Sequence, residues 1–233
     1  MQTNISRLNK MILAGIHNLF EKYPQAFTKE EIEYIIKHHD WINQNNGYNY
    51  ILREIYDELG IIPEEDNLYL GFINLIEEKF SLNRHIVEIG GGIIPSLSKR
   101  IALKQESGMI TVFDPRLAIT TSPLPNLKLI KEKFDKTKVS LEHDLLIGLH
   151  PYGGTKTIVE AACASNSDFI IALGDLPVEQ NSFIEDEEYD IAQQHLIFDA
   201  KNMVRESGLG ELEYASLEEY GSMYPVIYNK RRK

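Results

Sequence analysis

From His85 onward, short runs rich in β-branched and aliphatic residues recur between helix-like stretches: HIVEI at 85–89, MITVF at 109–113, LKLI at 127–130, DLLIGL at 144–149 and DFIIAL at 168–173. Runs this short that are largely apolar on successive residues suit strands buried on both faces, which calls for a parallel sheet with helices on each side. Between the last two runs, Thr155 to Ser165 carries Ala161, Ala162 and Ala164, small residues that let a helix lie close to the sheet. A long helix is predicted from about Asp186 to Arg205. The rhythm then breaks, because GELEYA and YPVIYNK are separated by a turn-rich segment and predict an antiparallel hairpin at one edge. The expected fold class is α/β, a parallel-core sheet with helices on both faces and an antiparallel C-terminal hairpin.

The first eighty residues have a different period. Ile5, Leu8, Ile12, Ile16, Leu19 and Phe20 recur at helical spacing, and Thr28 with Glu31 forms a capping box ahead of Ile32, Ile35 and Ile36. Tyr50, Ile51, Ile55 and Leu59 predict a third helix closed by Gly60, and Pro63 opens a fourth through Leu68, Phe72, Leu75 and Ile76. Two domains are therefore expected: an all-helical cap or dimerisation module at 1–80 and an α/β domain at 81–233.

Charge and cysteine content narrow the function. The 233 residues hold 24 Lys and Arg against 35 Asp and Glu, a net charge of −11, which disfavours nucleic acid as a broad-surface partner. A single cysteine, Cys163, rules out an internal disulfide framework and a cysteine-cluster metal site. His38-His39-Asp40 looks like a ligand set, but adjacent helix residues point apart, and no metal is expected. No membrane span and no secretory leader are read from the sequence, so the expected location is cytoplasmic. The tail Lys230-Arg231-Arg232-Lys233 is expected to be solvated.

The first predicted strand ends in Val87-Glu88-Ile89-Gly90-Gly91-Gly92-Ile93-Ile94-Pro95-Ser96-Leu97. Three successive glycines where a buried strand turns into a helix let the backbone approach a ligand closely, next to the unpaired N–H groups of a helix start. A dinucleotide fingerprint beginning at Gly90 needs glycine at position 95, where Pro95 stands, and no Gly-Lys-Ser/Thr follows to make a phosphate loop. What remains is an acidic residue ahead of the turn, Glu88-x-Gly90-x-Gly92.

This arrangement resembles motif I of the class I S-adenosylmethionine-dependent methyltransferases, acidic-x-G-x-G-x-G at the end of the first strand; Glu88, Gly90 and Gly92 match, and Ile94 departs from the third glycine. The resemblance implies S-adenosyl-L-methionine as cofactor, with Glu88, Gly90, Gly91 and Gly92 at its amino-acid end. A carboxylate there suits a ligand that carries an ammonium group and no phosphate. Asp114, ending the second strand, is similar to the family's acidic residue that accepts hydrogen bonds from both ribose hydroxyls. Asp135, after the third strand, is the candidate adenine contact.

Asp144 to Thr155, reading DLLIGLHPYGGT, looks like motif IV, which lines the transfer site. It is similar to a D-L-L-I-G-L-H-P-C-x-x-T stretch in one branch of methyltransferase-like proteins, with Tyr152 where that branch has cysteine, so no acceptor class is carried over. His150 and Tyr152 are the candidate catalytic residues, one to take a proton and one to stack on a planar acceptor, and Pro151 between them borders the cofactor. Proline at 151 predicts an extended backbone at His150. Asp114 to Asn126 is rich in proline and is expected to form an extended loop over the cofactor, with a short or absent helix between Asp135 and His143. The expected activity is methyl transfer to a small-molecule or unknown acceptor. The alternatives are a non-catalytic binder of the same cofactor, or aminopropyl transfer from it, because Gly-Gly-Gly-Ile-Ile-Pro-Ser also resembles the glycine-proline turn of nicotianamine synthase.

Overall fold

The computed structural model describes residues 68–92, 94–118, 120–136, 145–174, 186–219 and 222–231, together with residue 21. Helix α1, Leu68–Lys79, leads to β1, Ile86–Ile89, and α2, Ser96–Lys104. Strands β2 (Ile110–Phe113), β3 (Leu127–Ile130) and β4 (Leu145–Leu149) follow, then a 3-10 turn at Tyr152–Gly154 that runs into α3, Thr155–Ser165. Strand β5, Asp168–Ala172, and helix α4, Asp186–Glu206, precede β6, Glu213–Glu219, and β7, Ser222–Asn229.

Among the described residues seven strands form one sheet in the order β3-β2-β1-β4-β5-β7-β6. Strands β1 to β5 are mutually parallel, and β7 runs antiparallel to β5 and β6. Every residue of β1, β4 and β5 is buried, as the unbroken apolar runs require of strands covered on both faces. At the edge, β3 alternates instead, and Lys128 faces solvent, a charge that discourages further strand pairing.

Two apolar clusters cover the two faces. On one, Phe72 and Ile76 of α1 and Leu97 and Ile101 of α2 pack with Ile86, Ile110 and Ile147. On the other, Ile158 and Ala162 of α3 and Ala200 and Val204 of α4 pack with Val87, Leu146 and Phe169. Helix α1, which the sequence periodicity groups with the N-terminal module, thus shares the core of the sheet. The rest of residues 1–67, residue 21 aside, lies outside the described residues, as do 137–144, where a short helix was in question.

Between Asp114 and β3 the described residues form no helix, and Leu117 and Leu124 anchor the loop in the core. The chain end differs from expectation. Rather than lying free, Arg231 donates from its backbone N–H (2.8 Å) and its Nε (3.3 Å) to Asp168 Oδ1, because a carboxylate buried at the start of β5 needs cationic partners. No helix among the described residues is long and apolar enough to cross a membrane.

Candidate functional site

Strand order reverses between β1 and β4: the chain proceeds from β1 outward through β2 and β3, then returns to β1's other side. Beyond the carboxyl ends of such strands the two diverging connections leave a crevice, the usual ligand seat of an open parallel sheet. Here the diverging segments are Gly90–Gly92 and His150–Gly154. They touch, because a Cβ placed on Gly90 would lie 3.2 Å from Pro151 Cα. Gly90 and Gly92 have φ of +83° and +80°, open to glycine at little cost, and a Cβ on Gly91 would lie 2.5 Å from Val112 Cγ1. The glycine triplet is thus required by the turn and by its contact with β2.

Two buried carboxylates sit beside this turn. Glu88, on β1, accepts a hydrogen bond from the Ser98 hydroxyl of α2. Burial pushes its carboxyl up to about 7; the Ser98 hydrogen bond opposes the rise and the Asp114 charge adds to it. Asp114, 2% exposed, follows β2 and accepts from the Gly92 N–H at Oδ2 (2.9 Å) and from the Arg116 N–H at Oδ1 (2.7 Å). The Arg116 guanidinium adds Nε to Oδ1 at 3.3 Å and Nη2 to Oδ2 at 3.2 Å. Asp114 therefore ties the β1 turn to the loop after β2.

His150 departs from the extended backbone that Pro151 predicts: its φ is +49°. Three contacts hold it there. Its N–H donates to Ala172 O (2.9 Å), its ring lies 4.8 Å from that of Tyr224, and the bare backbone of Gly174 sits where any Cβ would overlap His150 Cγ. Strand β7 overshoots the end of β5, pairing with it only from Val226 on, and so carries Tyr224 up to His150. A buried non-glycine residue in this conformation stores strain of about 1–3 kcal/mol, which persists only where the surroundings over-determine it.

Glu88, Gly90, Gly91, Gly92 and His150 line one cavity of about 20 Å³, together with Tyr69, Ser96, Leu97, Arg116 and Leu149. Asp114 meets it through Gly92, and Pro151 through Gly90. Asp135 is exposed and outside that lining, and of Tyr152 the structure describes the backbone, in the 3-10 turn. Arg116, Ser98, Tyr69 and Tyr224 are not among the residues singled out from sequence. Only Arg116 had a local signal, since Asp-Pro-Arg is a turn in which the Asp side chain caps the N–H two residues on. A larger cavity, about 1080 Å³, opens at the opposite pole among Arg84, Asp168, Gly210 and Arg231. It lies at the amino ends of the parallel strands, away from both glycine turns.

The small cavity thus offers one carboxylate, Glu88, glycine backbone and the Arg116 guanidinium, with the Asp114 carboxylate directly behind Gly92. By sequence the chain matches no protein-family model and no curated protein. By structure it is similar to the methyltransferase domain of METTL16 at 12% identity, with a TM-score of 0.51 over 82% of this chain and 82% of that one. It is also similar to the N-terminal domain of human METTL16 in complex with SAH, at 11% identity and a TM-score of 0.50 over 72% of this chain and 71% of the other. With its strand order and antiparallel β7, the chain has the class I fold of the S-adenosylmethionine-dependent methyltransferases.

Proposed function

We propose that this protein is an S-adenosyl-L-methionine-dependent methyltransferase. The observation that carries the reading is the convergence of Glu88, Gly90–Gly92, Asp114 and His150 on one crevice at the strand-order reversal. Glu88 and the glycine backbone would hold the amino-acid end of the cofactor, Asp114 the ribose, and Pro151 and Asp135 the remaining edges. When bound, the cofactor's sulfonium supplies an activated methyl group. The chain's task is then alignment of the acceptor and removal of its proton.

His150 and Tyr152 are assigned to that task. The strained His150, gripped by Gly174 and Tyr224, is a stiff mount for an imidazole that would accept a proton from an acceptor hydroxyl or amine. Tyr152 follows in the same turn and would offer its ring to a planar acceptor. The net charge of −11 favours a small-molecule acceptor over nucleic acid. The helical segment of residues 1–80 would cover the acceptor side or pair two copies of the chain.

Calorimetric titration of the wild type and Asp114→Ala with S-adenosylhomocysteine tests the cofactor assignment. Loss of both ribose bonds should weaken binding by about tenfold or more. Equal affinities would remove Asp114 from the site, and absence of binding to the wild type would overturn the assignment. With labelled cofactor, S-adenosylhomocysteine as product marks methyl transfer, whereas methylthioadenosine would mark aminopropyl transfer instead.

A further inference from the structure

The Asp114 carboxylate is fully engaged. Two oxygens offer about four acceptor positions, and four N–H donors fill them: Gly92 N and Arg116 Nη2 on Oδ2, Arg116 N and Nε on Oδ1. A ribose diol brings two further O–H donors, so two of the four must leave. The backbone donors are fixed, one by the glycine turn after β1 and one by the Asp-Pro-Arg turn. The guanidinium donors are the replaceable pair, because the Arg116 side chain is 51% exposed and water can take over its hydrogen bonds to Asp114. They sit one on each carboxylate oxygen, the placement that two adjacent hydroxyls need.

Space points the same way. The cavity beside Asp114 is about 20 Å³, whereas sites for small-molecule ligands usually run to about 300–1,000 Å³. Arg116 is part of its wall, on the solvent side. Withdrawing that one side chain both vacates two acceptor positions and widens the mouth.

We infer that the Arg116 side chain is a built-in competitor for the ribose seat, which the cofactor must displace from Asp114 to bind. The inference rests on the cofactor reading above and adds a residue that sets affinity: Arg116 works against binding, although it lines the site. Truncating a cation in a ligand pocket ordinarily weakens binding, so the expected sign is distinctive. A pair with one half-exposed partner contributes about 0.2–1 kcal/mol, which corresponds to about 1.5- to 5-fold in affinity.

The experiment is calorimetric titration of the 233-residue chain with S-adenosylhomocysteine, comparing wild type, Arg116→Met, Asp114→Asn and the double variant. Arg116→Met should bind about 1.5- to 5-fold tighter than wild type, and in the Asp114→Asn background the same substitution should make no further difference. Wild-type affinity should also rise as salt goes from about 0.05 to about 0.5 M and the ion pair is screened, with no such rise in Arg116→Met. Equal or weaker binding by Arg116→Met overturns the competition while leaving the cofactor assignment intact. Failure of every variant to bind removes the cofactor assignment, and this inference with it. Should Arg116→Met not fold, the wild-type salt series decides alone, and an affinity that falls or stays level with salt overturns the proposal.

Discussion

At the residue scale the site is organised by groups placed where their chemistry is costly. Glu88 lies in the middle of a fully buried strand, and burial raises its carboxyl from 4.5 to about 7. Between those values the folded chain holds a proton that the unfolded chain has lost, so stability falls as pH rises from about 4.5 to about 7 and is level above. The full swing is about 3 kcal/mol. Glu88→Gln, which keeps the shape and never ionises, should gain on the wild type by up to that amount between pH 5 and pH 8 in urea unfolding. A difference between the two proteins that is the same at both pH values would mean that Glu88 titrates normally. The Ser98 hydroxyl is the device that makes the ionised form tolerable, since a hydrogen-bonded buried charge costs far less than a bare one.

At the scale of elements, the amino ends of the strands are tied together by a charge cluster. Asp168 opens β5 and is 8% exposed at its side chain; it accepts from Arg84 Nη2 ahead of β1 (2.8 Å) and from Arg231 after β7. One carboxylate thereby joins three segments distant in sequence. Asp168→Ala should cost about 2 kcal/mol, less than a fully buried pair because Arg231 is 38% exposed, and lower the melting temperature by about 4–8 °C. Glu160→Gln, which breaks the more exposed pair with Lys136, is the control and should change stability by less than about 0.5 kcal/mol. Equal effects of the two substitutions would remove the special role of Asp168. At the opposite end, the β7 overshoot does a comparable job for the site by bringing Tyr224 against His150.

For the whole molecule, the question is where the folding unit begins. Leu68, Tyr69, Phe72, Ile73 and Ile76 of α1 are all buried in the cluster that covers one face of the sheet. Each such side chain contributes about 1.5–3 kcal/mol, so together they match the net stability of an ordinary domain, about 5–15 kcal/mol. A chain starting at residue 81 should therefore lack a cooperative unfolding transition, whereas one starting at residue 67 should keep it. Equal cooperativity of the two, read by thermal unfolding, would show α1 to be dispensable. Sedimentation of the full chain and of the chain from residue 67 then tests whether the preceding residues pair two copies.

The layers of this protein and its glycine turn were legible in the sequence, because both are written in local signals. Unbroken apolar runs admit only doubly covered strands, the interruption near the end forces an antiparallel pair, and three glycines after Glu88 mark a turn that only bare backbone can make. Glu88, Gly90 to Gly92 and Asp114 were legible as a group for that reason. What those residues meet is set by the packing of distant segments. That Arg116 fills Asp114, that Ser98 bonds Glu88, that α1 belongs to the core and that Arg231 is bound at Asp168 all depend on pairings across the sheet, which no local period encodes. His150 is the sharpest case: the following proline disfavours its backbone conformation, and it is held there by Gly174, Tyr224 and Ala172, three positions brought to it only by the strand order.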